Sequence, residues 1–132
     1  EENHRIAKIC RESRILVNVV DDQEYCDFIF PSLISRGNLS VGICSNGASP
    51  ATSVLLKRQF EEQIPENIED ILEFLHGIRP IVAKALTDKK HRYKFYYDLS
   101  EACMKENRPL TEEEFRRQLQ WHVQSAKKNL QG

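Results

Sequence analysis

Two carboxylates close an apolar run: ILVNVV at 15–20 is followed by Asp21 and Asp22. Open α/β sheets bind ligands beyond the carboxyl ends of their strands, and a carboxylate placed there can act as a general base. The plainer reading is a solvated turn, which aspartate commonly begins. A second candidate is SNGASP at 45–50. Gly47 permits a positive φ, and Asn46 tolerates one. Ser45 and Ser49 add hydroxyls, and amides ahead of a helix N-terminus attract anions. The plainer reading here is a strand-to-helix turn with a capping serine. SNGASP lacks the GK[ST] ending of a Walker loop, and no GxGxxG or GxGxxA occurs in the chain.

The remaining reactive side chains are dispersed. His4, His76, His91 and His122 form no HxxxH or HxxE pair, so surface or helix-face packing accounts for them and no metal site is expected. His122 reads as interhelical packing rather than an iron ligand. Cys10, Cys26, Cys44 and Cys103 form no CxxC pair. The first three lie in apolar segments and read as buried free thiols of a cytoplasmic protein. Tyr93, Phe95, Tyr96 and Tyr97 could form a stacking platform, but helical core is the plainer reading.

Three regions must position these groups. In 1–22, a short helix with Ile6, Ala7 and Cys10 on one face leads into ILVNVV, which reads as a strand buried on both faces. Helix, turn and buried strand is the rhythm of a parallel α/β sheet. One strand cannot make such a sheet, so the chain is expected to begin inside a domain. In 23–64, FIFPSLI and LSVGICS flank the turn residues SRGN and predict a β-hairpin. Pro31 marks its first strand as an edge or a bulge. Ser49 then caps a helix with Pro50 at its first position, ending before Pro65.

The region 65–132 reads as wholly helical. Ile68, Ile71, Leu72, Leu75, Ile78, Val82 and Leu86 recur at helical spacing, with Pro80 interrupting. A further helix carries Tyr93 to Cys103. Thr111 and Glu114 form a capping box for the last one, whose apolar face holds Phe115, Leu119, His122 and Ala126.

Bulk properties narrow the classes. The 132 residues are 40% hydrophobic and 30% charged, a globular balance. A net charge of -1 gives no global field for nucleic acid or an anionic membrane, and neither is expected as a partner. No apolar run reaches spanning length, and the N-terminus EENHRIAKIC has acids where a secretory signal has bases. The hairpin exposes edges and apolar surface that need covering, which predicts a homodimer.

Taken in order, Asn18-Val19-Val20-Asp21, Phe28-Ile29-Phe30-Pro31, Arg36-Gly37 and Ser45-Asn46-Gly47-Ala48-Ser49-Pro50 resemble the siroheme synthase family. The helix VLLKRQFEEQIP is similar to that family's basic helix ending in proline. The specific resemblance covers the first half of the chain, and the helical tail matches in pattern only. It implies a fold class of three parts: 1–22 as the end of a Rossmann-type NAD domain, an α+β dimerisation region over 23–64, and an all-α domain over 65–132. The family's glycine-rich loop has no counterpart, so the resemblance implies that most of the Rossmann domain is missing and that the chain alone binds NAD poorly.

The resemblance also implies an activity: NAD-dependent conversion of precorrin-2 to sirohydrochlorin. In members that are also ferrochelatases, ferrous iron is a further substrate. The family's catalytic aspartate falls on Asp21. Its active-site serine, phosphorylated in some members, falls on Ser45, with Asn46, Gly47 and Ser49 lining the tetrapyrrole site and Lys57 and Arg58 assisting. Asn46 departs from the glycine of many members. Two other readings stay open: a non-catalytic tetrapyrrole-binding and dimerisation module, and the tail of an unrelated Rossmann-type dehydrogenase.

Overall fold

Local signals set most element boundaries in the computed structural model, which describes residues 1–129. Six helices and one two-stranded sheet make up the described chain, a small α/β structure. It divides into two compact units, 1–35 with 40–63, and 36–39 with the chain from 64 onward.

In the first unit, helix α1 (Glu2–Glu12) has Glu2 in its first turn and Arg11 in its last, charges that complement the helix dipole. Only Ala7 of its apolar residues is buried; Ile6 and Ile9 are about half exposed. The strand expected at 15–20 does not form. A strand needs a neighbour's N–H and C=O groups, and the only sheet among the described residues is the hairpin β1–β2. The segment instead hooks onto 26–28. The Val17 carbonyl accepts from the Asp27 amide at 2.7 Å, and Asn18 Nδ2 donates to the Phe28 carbonyl at 3.0 Å. Val19 is buried, whereas Leu16 and Val20 are about three-quarters exposed.

Strand β1 (Ser32–Arg36) starts one residue after Pro31, not before it. Proline has no N–H to donate to a ladder, so FIFP stays outside the sheet. The turn is Gly37–Asn38, with Gly37 at φ 54°, a left-handed position suited to a two-residue hairpin loop. Strand β2 (Leu39–Ile43) alternates half-buried Leu39, Val41 and Ile43 with exposed Ser40 and Gly42, the period-2 pattern of a one-sided sheet. Helix α2 (Pro50–Gln63) begins as its sequence dictates. Ser49 Oγ accepts from the Thr52 amide at 3.3 Å, and Pro50 fills the first position, where no N–H is needed.

The second unit is helical: α3 (Ile68–Gly77), α4 (Arg79–Ala85), α5 (Lys89–Glu106) and α6 (Glu112–Asn129). Pro80 splits the first pair at Ile78. The core joins Ile71, Val82, Phe95, Leu99, Cys103 and Phe115 with their neighbours, and Phe95 meets Phe115 edge-on. Asp88 caps α5 by accepting from the His91 amide at 2.9 Å. Asn107, at φ 49°, ends that helix in the left-handed conformation asparagine tolerates. The capping box of α6 is reciprocal, with the Thr111 amide donating to Glu114 Oε2 at 2.8 Å and the Glu114 amide to Thr111 Oγ1 at 3.3 Å. Tyr93 and Tyr97 are largely exposed, so of the aromatic cluster only Phe95 is fully core. Among the cysteines only Cys103 is buried; Cys44, directly after β2, is exposed, with the Asn46 amide donating to its sulfur at 3.3 Å. No helix among the described residues is long and apolar enough to cross a membrane.

Candidate functional site

The two aspartates that position alone leaves equivalent, and of which the resemblance selects Asp21, are made unequal in the first unit. Asp22 bonds His4 Nε2 at 2.5 Å, and the His4 ring stacks flat on Tyr25 with centroids 3.8 Å apart. Among the described residues the Asp21 carboxylate has no protein partner and is exposed. Asp21 also holds φ 61°, a left-handed conformation that costs a non-glycine residue roughly 1 kcal/mol. That conformation is fixed from behind by Cys26. Its sulfur accepts from the Val19 amide at 3.1 Å, and its single S–H is shared between the carbonyls of Val19 and Asp22 at 3.2 and 3.3 Å.

The SNGASP turn is built by its own side chains. Ser45 Oγ accepts from the Ser49 amide at 3.1 Å, and the Ala48 amide donates to the Ser45 carbonyl at 3.0 Å. Asn46 and Gly47 take φ values of 52° and 79°, the positive angles their types suggested. Ser49 is committed to capping α2. Among the described residues neither the Gly47 nor the Ala51 amide donates to a backbone carbonyl outside the helices, and of the two only Gly47 lines the cavity at Asp21. Lys57 and Arg58 lie seven and eight residues beyond Pro50, roughly 10 Å along the helix.

A cavity of about 370 Å³ joins the two turns, lined by residues including Asn18, Asp21, Cys26, Phe30, Gly47 and Pro50. Asp21 and Gly47 therefore face one space. Ser45, Asn46 and Ser49 shape the turn from outside that lining. Sequence reasoning missed Gln23 and Cys26. Gln23 begins a short 3-10 turn (Gln23–Tyr25), and its Nε2 donates to the Asn46 carbonyl at 3.1 Å, across 23 residues. Nothing local in the sequence signals such a contact.

The residues present do not fit a dinucleotide. Gly37 is in the hairpin turn, Gly42 lies in β2 against Pro31, Gly47 follows a hairpin strand as a lone glycine, and Gly77 ends α3, so among the described residues none makes a glycine-rich phosphate loop between a parallel strand and a helix. Among the described residues no three His, Cys, Asp or Glu side chains converge as metal ligands.

Comparison with known proteins follows the motif order. Residues 1–32 match a family model described as putative NAD(P)-binding. A siroheme synthase of Neisseria meningitidis serogroup C (strain 053442) is 29% identical over 98% of this chain and 28% of its own length. One from Buchnera aphidicola is 37% identical over 74% of this chain and 20% of its own length. The chain thus spans between a fifth and a third of the length of these curated relatives. A solved structure described as SirC, precorrin-2 dehydrogenase, shares the fold with a TM-score of 0.62 at 21% identity, covering 89% of this chain and 59% of that one. The resemblance read from the motifs extends over most of the chain, which is similar to siroheme synthases.

Proposed function

We propose that this chain, similar to siroheme synthases, forms the tetrapyrrole-side portion of an NAD-dependent precorrin-2 dehydrogenase, acting in siroheme biosynthesis. The observation that carries the reading is the single cavity shared by Asp21, free of protein partners, and the Gly47 turn. Precorrin-2 is a polycarboxylate macrocycle. The Gly47 turn, beside the α2 N-terminus, suits one of its carboxylates. An open cavity of this size takes an edge of the macrocycle rather than the whole.

Forming sirohydrochlorin removes a hydride and a proton from the ring system. The Asp21 carboxylate takes the proton as general base. No step through the nicotinamide is assigned to this chain, since its residues do not fit the dinucleotide. Ferrous iron, in a second reaction at the same site, would enter as substrate while Asp21 accepts the pyrrole protons. Ser45, Asn46 and Ser49 serve by holding the turn that binds substrate. In this reading 1–22 closes a Rossmann-type domain, 23–64 is the dimerisation region of a homodimer, and 65–132 is the helical domain.

The test is precorrin-2 oxidation by the longest natural form of the protein. Asp21→Ala should lower kcat by about 10²- to 10⁴-fold, the usual contribution of a general base. Turnover at the wild-type rate would overturn the assignment. A second reading, a tetrapyrrole-binding and dimerisation module without catalysis, is favoured by the missing phosphate loop. It expects sirohydrochlorin to bind with no turnover in any form of the protein.

A further inference from the structure

The proposed site is assembled from two turns far apart in sequence, and covalent geometry does not fix their separation. Each turn is tied within itself by side-chain hydrogen bonds. Cys26 clasps the Asp21 turn by accepting from the Val19 amide and sharing its S–H between the Val19 and Asp22 carbonyls. Ser45 and Ser49 close the SNGASP turn. One side chain crosses between them, Gln23, which follows Asp22 directly.

We propose that Gln23 is a positioning residue that sets the spacing between the Asp21 carboxylate and the Gly47 turn; this rests on the function proposed above. Its amide acts on the SNGASP turn in two ways. Nε2 donates to the Asn46 carbonyl at 3.1 Å. The rest of the amide fills the space where a side chain at position 47 would stand, since a Cβ there would lie 2.7 Å from Gln23 Cδ. Gly47 is therefore required twice, by φ 79° and by Gln23. Asn46, also at a positive φ, turns its carbonyl toward the donor.

The consequence is kinetic. A hydrogen bond between exposed groups adds little to stability. A base displaced by a fraction of an ångström from its near-attack position loses rate steeply. Removing the Gln23 amide should thus leave the fold intact and lower kcat more than it raises KM.

The experiment is a double-mutant cycle on precorrin-2 oxidation by the longest natural form of the protein, with melting temperature measured alongside. Gln23→Ala should lower kcat about tenfold and change KM by less than about threefold, within the range for small misplacements, while melting shifts by only a few degrees. Gln23→Glu keeps the shape but loses the donor and sets a carboxylate against the Asn46 carbonyl, so it should behave like Gln23→Ala. Gly47→Ala should be harmful alone and less so in the Gln23→Ala background, where only the φ cost remains. Additive losses, or a wild-type kcat in both Gln23 variants, would overturn the positioning role while leaving the dehydrogenase reading standing. Absence of turnover in the wild-type protein would instead remove the dehydrogenase reading and this role with it.

Discussion

At the scale of single residues, environment separates groups that look alike in sequence. Asp21 and Asp22 are adjacent and chemically identical, and His4, eighteen residues earlier, decides which of them is engaged. The motif order pointed to Asp21 and to the SNGASP turn; Gln23 and Cys26 were invisible because long-range side-chain contacts leave no local pattern. His122 shows the same dependence on surroundings. It is buried on α6, edge-on to Phe95. Burial pushes its pKa down from the usual histidine range, more than Asp98, 3.3 Å away, pushes it up; Lys94 and His91 lower it further. Between that depressed value and about 6.5 the unfolded chain holds a proton that the folded chain lacks. Stability should therefore rise with pH through this window and be fully present above it. Urea-unfolding midpoints from mildly acidic to neutral pH should climb in the wild type and flatten in His122→Gln. Equal slopes in the two proteins would mean that His122 titrates alike in both states.

Whole elements were legible where the signal is local. The caps at Ser49 and Thr111, and the break at Pro80, act within four residues, so α2, α6 and the α3–α4 split follow directly from types and spacing. ILVNVV failed for the opposite reason. Its composition suits a strand, but a ladder is a property of two segments, and the described residues hold no second one beside it. The capping box of α6 gives the test at this scale. Thr111→Ala removes the acceptor for the Glu114 amide and should cost about 1 kcal/mol in chemical unfolding. Arg108, bonded to both Glu114 oxygens at 2.9 Å, and Thr111 hold the Glu114 carboxyl at about 2, well below its ordinary 4.5. Its contribution is present above the ordinary value and is lost as pH falls toward about 2. Acid titration of Glu114→Gln should lack that loss, and an unchanged acid transition would show that the bonds do not form in solution.

Across the whole molecule, apolar surface is unevenly shared. Of the buried hydrophobic residues, Ala7, Val19 and Ile34 lie in the first unit, and Ile68, Ile71, Ile78, Val82, Leu86, Phe95, Leu99, Cys103, Leu110 and Phe115 in the second. Exposure runs the other way, with Leu16, Val20, Phe30, Leu33, Leu55 and Phe60 of the first unit all at least half exposed. Burial stabilises by roughly 25 cal/mol per Å² of apolar surface, so a unit with so few buried side chains gains little from its own core. So many exposed large apolar side chains on one small unit suit contact with another chain or domain. The homodimer proposed for this region follows from that imbalance as well as from the hairpin edges. Leu55 and Phe60 on α2 lie outside the candidate cavity's lining, so they test association without touching the proposed base. Leu55→Glu and Phe60→Glu should each shift sedimentation from dimer toward monomer at micromolar concentration, with the α-helical circular dichroism of the second unit retained. A wild-type protein that sediments only as monomer at high concentration would remove the dimer and leave another domain as the cover for this surface.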